Sequence, residues 1–162
     1  MIRTVILPAA GLGTRMLPYT KEIPKEMLPV IIKTNNDYVV KPILHYIFDA
    51  LYDTGFRIFY FIVGRGKRVI EDYFTPDWNY VDFLRKRGKD REACLLEEFY
   101  NKLNNIKLLM INQPNPLGFG DAVLRARDFI VDEYFLVHAG DDITYPDHIV
   151  NINRLINHYE RE

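Results

Sequence analysis

Between Pro8 and Pro29 the sequence reads PAAGLGTRMLPYTKEIPKEMLP, and Gly11, Gly13, Arg15 and Lys25 within it have the chemistry of a polyphosphate site. Glycines let the backbone approach phosphate oxygens with no Cβ in the way and turn successive N–H groups toward them. Arg15 offers a planar guanidinium fork and Lys25 a compact ammonium, and both bind phosphate strongly where water is thin. The loop is not a P-loop, because GxxxxGK[ST] occurs nowhere, and it fails the dinucleotide fingerprint because Met16 stands where a third glycine belongs. The compound pattern GxGTR, followed ten residues later by Lys25 in PKEMLP, is more specific than a lone GxG.

Two further groups could complete such a site. Asp141 follows an apolar run, FLVHAG, which would leave its carboxylate poised in a loop at a strand end. Magnesium takes one or two carboxylates plus phosphate oxygens and water. Asp142 is the rival ligand, since neighbours on an extended strand point to opposite faces. Gln113 carries a donor and an acceptor on one planar amide, which suits the imide edge of uracil or thymine and not the amino edge of cytosine. Gly118, five residues on, can bring a backbone group close to the same ring. The turn Gly64-Arg65-Gly66-Lys67-Arg68 is basic but reads as structural. His45, His138, His148 and His158 lack metal-ligand spacing, so neither a zinc centre nor a histidine nucleophile is expected.

The elements that must position these residues alternate between short apolar runs and longer amphipathic segments, the pattern of an α/β fold with a Rossmann-like, mostly parallel sheet flanked by helices. Strands are expected at 4–7, 56–63, 106–111 and 134–139, with a small hairpin at 30–33 and 38–40 around TNND. Helices are expected from Pro42 to Gly55, after Gly66, over about 81–103 with a break near Gly88, over 118–131 and over 147–159. Parallel strands gather their ligand-binding loops at the C-terminal edge, so the glycine loop, the Gly64 turn, the 113–120 loop and the 140–142 turn should converge there.

At 162 residues the chain is one domain by length, and such a chain buries roughly two-thirds of the surface that its unfolded form exposes. The single Cys94 excludes an internal disulfide and fits a reducing compartment. A net charge of -1 gives no reason to expect nucleic acid as partner. The one basic run, 85–91, reads as a solvated helix end beside Glu92, Glu97 and Glu98. Apolar runs fall short of the ~18–20 residues of a membrane helix, and the N-terminus lacks a signal-peptide core, so no membrane partner and a cytoplasmic location are expected.

The motifs GLGTR and KEMLP, with GRGKRVIEDYF at 64–74, QPNPLGFGDAVLRA at 113–126 and FLVHAGDDI at 135–143, occur in an order that resembles the sugar-1-phosphate nucleotidyltransferases. KEMLP in particular resembles the bacterial-type UTP:glucose-1-phosphate uridylyltransferases. The resemblance implies formation of UDP-glucose and pyrophosphate from UTP and glucose 1-phosphate, with Mg2+ as cofactor. Arg15 would clamp the β- and γ-phosphates and Lys25 would sit at the α-phosphate. The substrate-binding set would be Ala10, Gly11, Gly13, Thr14, Glu26, Gln113 and Gly118, with Asp141 on the metal. The resemblance also implies a continuation past 147–159 that brings further strands, a second lysine and a second metal carboxylate. Residues 1–162 therefore read as the nucleotide-binding part of the domain, with the sugar-phosphate part largely absent. The alternatives are a nucleotide-binding module that needs a further segment for catalysis, or a thymidylyltransferase using dTTP. The stretch IIKTNNDYVVKP is longer than the tight connection of the family. Apolar surface left by missing strands would favour a homo-oligomer.

Overall fold

The computed structural model describes residues 2–34, 37–145 and 147–161. Four parallel strands form the main sheet in the order β5-β4-β1-β6: β1 (Thr4–Pro8), β4 (Ile58–Gly64), β5 (Lys107–Gln113) and β6 (Leu136–Val137). β1 pairs with β4 from Thr4↔Ile58 to Pro8↔Ile62 and with β6 at Val5↔Leu136 and Ile6↔Val137. Every residue of β1 is buried, as a strand covered on both faces requires.

Alternation along the strands divides the apolar groups between two layers. Val5, Leu7, Phe59 and Phe61 face a core shared with α1 (Ile43–Asp53) and α4 (Asp90–Asn104), whereas Ile6, Tyr60 and Ile62 face Ala122 and Ala126 on the other side. On α1 the fully buried Leu44, Ile47, Phe48 and Leu51 recur at helical spacing, and each such side chain contributes about 1.5–3 kcal/mol by burial. Pro42 precedes this helix as its cap, and Gly55 follows it at φ 105°, a left-handed conformation that favours glycine. The TNND hairpin forms between β2 (Pro29–Lys33) and β3 (Tyr38–Pro42), while Asn35 and Asn36 of its turn lie outside the described residues. The expected break near Gly88 separates α3 (Trp78–Lys86) from α4.

Two expected elements are shorter than the sequence suggests. The helix expected over 118–131 is regular only as α5 (Phe119–Leu124) and continues in tight turns, with Ala126 N–H on Val123 and Phe129 N–H on Ala126. Tertiary anchors override helical propensity there: the Tyr60 hydroxyl donates to the Phe129 carbonyl at 2.8 Å, and Thr4 bonds to Asp132. The strand expected over 134–139 is assigned only at Leu136 and Val137, although His138 N–H on Ile6 (3.0 Å) and Gly140 N–H on Pro8 (3.1 Å) carry the parallel bonding onward. The remaining helices are α2 (Arg68–Tyr73) and α6 (His148–Tyr159), whose Asp147 cap accepts from Val150 N–H.

The helix α1, after β1, packs on one face of the sheet and α5, after β5, on the other, so the chain changes side between β1 and its neighbour β6, and the carboxyl ends of the strands there are the usual ligand position of open α/β sheets. The glycine loop follows β1 and the Gly140-Asp141-Asp142 turn follows β6.

Candidate functional site

Two close approaches seat the glycine loop on the sheet. Ala9 N–H donates to Ile62 O at 2.8 Å, and a Cβ added at Gly64 would stand 3.2 Å from the Ala10 carbonyl oxygen. Gly13 lies at φ 65°, and the Thr20 hydroxyl donates to its carbonyl at 2.7 Å, closing the loop on itself. Arg15 follows in a short 3-10 turn, exposed and without an ion-pair partner among the described residues. A later 3-10 turn, Lys25–Met27, lies between Pro24 and Pro29 and turns two consecutive side chains different ways. Lys25 reaches toward the glycine loop, where its Nζ sits 2.7 Å from Asp141 Oδ2. Glu26 is fully buried, its Oε2 accepting from Lys67 Nζ at 3.0 Å.

The cleft has a volume of about 490 Å³ and is lined by all ten residues singled out in the sequence: Ala10, Gly11, Gly13, Thr14, Arg15, Lys25, Glu26, Gln113, Gly118 and Asp141. Asp142 also lines it but stands exposed at the rim, whereas Asp141 is the carboxylate that meets Lys25. The Gly64 turn sits at the same edge without lining the cleft; its Lys67 runs underneath as the cation for Glu26. Burial lifts the Glu26 carboxyl above its ordinary range despite Lys67, and its Oε1 has no hydrogen-bond partner among the described residues. Glu26 thus shapes the floor of the cleft with its carboxylate engaged away from solvent.

Gln113 is buried at the end of β5, and its Nε2 donates both to Gly118 O (3.1 Å) and to Asp121 Oδ2 (2.7 Å). Gly118 takes φ 102°, which favours glycine and aims its carbonyl at that amide. Arg125 Nη2 holds the same Asp121 at 3.0 Å, and the bonds from Gln113 and Arg125 keep the Asp121 carboxyl below its usual range. Lys67 and Asp121 are the two participants that sequence reasoning missed.

A second cavity, of about 330 Å³, opens between the hairpin, α1 and α4. Both of its lysines are engaged by one carboxylate: Asp49 accepts from Lys41 at 2.6 Å and Lys102 at 2.8 Å, and His45 is bonded to Tyr73 at 2.8 Å. Of these two cavities, the first combines a guanidinium unpaired among the described residues with a glycine loop, an arrangement suited to phosphates.

Among the described residues, no group of three or more His, Cys, Asp or Glu side chains could hold a metal ion. A magnesium ion needs no such cage, and the part-exposed Asp141 fits the single-carboxylate mode in which phosphate oxygens and water complete the shell.

The profile of the family described as nucleotidyl transferase matches residues 3–162. The chain belongs to the nucleotidyl transferase family. Within it, the UTP--glucose-1-phosphate uridylyltransferase of Bacillus subtilis is 39% identical over 160 residues, covering 99% of this chain and 51% of that protein. The enzyme of the same name from Streptococcus pneumoniae is 36% identical, over 99% and 50%. A UTP-bound UGPase from Acinetobacter baumannii superposes with a TM-score of 0.82 at 29% identity, over 100% of this chain and 54% of that one. A UDP-glucose pyrophosphorylase complexed with UDP-glucose gives a TM-score of 0.69 at 31% identity, over 99% and 55%. This nucleotidyl transferase chain thus spans about half the length of the curated relatives it matches. No helix among its described residues is long and apolar enough to cross a membrane.

Proposed function

We propose that the cleft binds UTP with a magnesium ion and is the nucleotide half of a UTP:glucose-1-phosphate uridylyltransferase centre. The observation that carries this reading is the meeting of Arg15, Lys25, Gln113 and Asp141, from three separate parts of the chain, in one cleft of about 490 Å³. A glucose 1-phosphate oxygen attacks the α-phosphorus in line; the new P–O bond forms as the bond to the β-phosphate oxygen breaks, and pyrophosphate leaves. The nucleophile is already an anion, so the reaction calls for alignment and charge neutralisation and no strong base. Magnesium on Asp141 supplies part of that neutralisation when bound.

The chain's own groups divide the remainder. Arg15, exposed and without an ion-pair partner among the described residues, takes the β- and γ-phosphates, and backbone N–H groups around Gly11 and Gly13 face the same oxygens. Lys25 lies 2.7 Å from Asp141, and in the reaction an α-phosphate oxygen takes over that ammonium as charge accumulates on it. Gln113 and Gly118 receive the uracil edge. Cytoplasmic action on soluble substrates, without nucleic acid or membrane, completes the reading.

A second reading rests on the length comparison and on Lys25 being the one lysine lining the cleft among the described residues. In it, the 162-residue chain binds UTP but needs a further segment to hold glucose 1-phosphate. Calorimetry with UTP and magnesium, followed by pyrophosphate release with glucose 1-phosphate, separates the two. Turnover supports the first, binding alone the second, and no UTP binding rejects both. dTTP in parallel tests the base. Where turnover is present, Lys25→Ala should lower it by at least about 10²-fold, the scale for removing one transition-state contact, with UTP affinity only moderately reduced. Equal turnover in the variant dismisses the role of Lys25.

A further inference from the structure

Gln113 is the only glutamine in the sequence, and its amide faces two acceptors at once. Nε2 lies 2.7 Å from an Asp121 carboxylate oxygen and 3.1 Å from the Gly118 carbonyl. Turning the amide over would set Oε1 against both, replacing two hydrogen bonds by two lone-pair contacts, one of them with an anion. Asp121 is itself restrained, since Arg125 approaches its two carboxylate oxygens at 3.0 and 3.3 Å from one helical turn onward. The amide is therefore held in one orientation, and the face left over is an acceptor.

We infer that Asp121, braced by Arg125, is a positioning residue that locks the Gln113 amide and so makes the cleft select pyrimidines that present an N–H at ring position 3. This rests on the proposed uridine-nucleotide reading for the base, although the lock itself does not. An imide N3–H of uracil or thymine meets Oε1 as a donor. Cytosine carries a bare lone pair at N3, which a fixed Oε1 repels. A freed amide could instead turn its Nε2 toward cytosine, so the penalty against that base resides in Asp121 as much as in Gln113. Discrimination of this kind comes from the built-in repulsion as well as from the attractive contact.

Two measurements test it. With the chain labelled at the glutamine side-chain nitrogen, one NH2 pair should appear, and Asp121→Leu should shift it toward the position of a solvated amide. Asp121→Asn should hold it nearly in place, since the asparagine oxygen still accepts. Arg125→Leu should move it the same way as Asp121→Leu by a smaller amount, and serves if Asp121→Leu fails to fold. An unmoved signal in both leucine variants overturns the lock. Calorimetry with magnesium and either UTP or CTP then reads selectivity. The UTP-over-CTP affinity ratio should fall about tenfold in Asp121→Leu, the scale of one hydrogen bond, and largely survive in Asp121→Asn. Loss of both affinities in equal measure would mark Asp121 as merely structural and overturn the inference. A signal that moves as expected in a chain that binds neither nucleotide supports the lock and refutes the uridine reading alone.

Discussion

Replacing Lys67 by methionine keeps most of the aliphatic stem and removes the ammonium that lies 3.0 Å from Glu26 Oε2. The Glu26 side chain has no solvent exposure and its other oxygen has no partner among the described residues, and the remaining cation, Lys25, compensates its charge less than Lys67 does. Breaking a buried pair in this way costs about 3–5 kcal/mol. For a chain of this size each kcal/mol corresponds to about 2–4 °C in Tm, so a fall of about 10 °C is expected near neutrality. The deficit should depend on pH in one direction. Burial already holds the Glu26 carboxyl above its ordinary 4.5, so the folded state binds that proton more tightly than the unfolded state. The associated stability is complete below about 4.5 and is lost as pH rises through the folded value. Losing Lys67 raises that value further, so the variant's deficit is greatest at pH 8 and shrinks toward pH 5. Urea denaturation at both pH values measures it, and Glu26→Gln combined with Lys67→Met should recover most of the loss at pH 8. A deficit below about 1 kcal/mol, or one equal at both pH values, would refute the reasoning, since an uncompensated buried carboxylate cannot be that cheap.

The His148 imidazole is pushed down to about 4 by burial and then by neighbouring His138, so its contribution to stability is full above the ordinary 6.5 and is lost as pH falls through about 4. His148→Gln should flatten the acid limb of the stability profile over that window, read by denaturant titration at a series of pH values. Gly64→Ala sets a methyl 3.2 Å from the Ala10 carbonyl oxygen, backbone that cannot step aside cheaply, and should cost about 1–3 kcal/mol in thermal or denaturant unfolding. A change below about 0.5 kcal/mol would mean that the glycine loop can retreat.

Glycine and proline punctuation made most of the elements legible: Gly55, Gly66 and Gly88 take positive φ where the sequence places helix ends and turns, and Pro42 ends β3 and caps α1. The cleft was legible because its main residues sit directly after strands, and the ends of parallel strands share one edge. What local pattern could not disclose was pairing across the chain. The resemblance places Glu26 among the substrate-binding residues, but nothing local in the sequence discloses that Lys67, 41 positions later, bonds to it. The role of Asp121 depends on which way a single amide points. The 118–131 segment carries good helix formers in Ala122, Leu124, Arg125 and Ala126, yet its last turns are shaped by Tyr60 and Thr4, residues far away in sequence.

The strand β6 has consequences for how the centre could come apart. It contributes two register pairs to the sheet, continued only by the single bonds from His138 and Gly140, whereas β4 and β5 are zipped together over seven. Asp141 hangs from this thinnest attachment, and Arg15 and the glycine loop hang from the fully enclosed β1. Partial melting would then withdraw the acidic jaw first and leave the cationic jaw standing. Amide protons at His138 and Gly140 should accordingly trade with deuterium long before those of Val5 to Leu7, and bound nucleotide should slow the former far more than the latter.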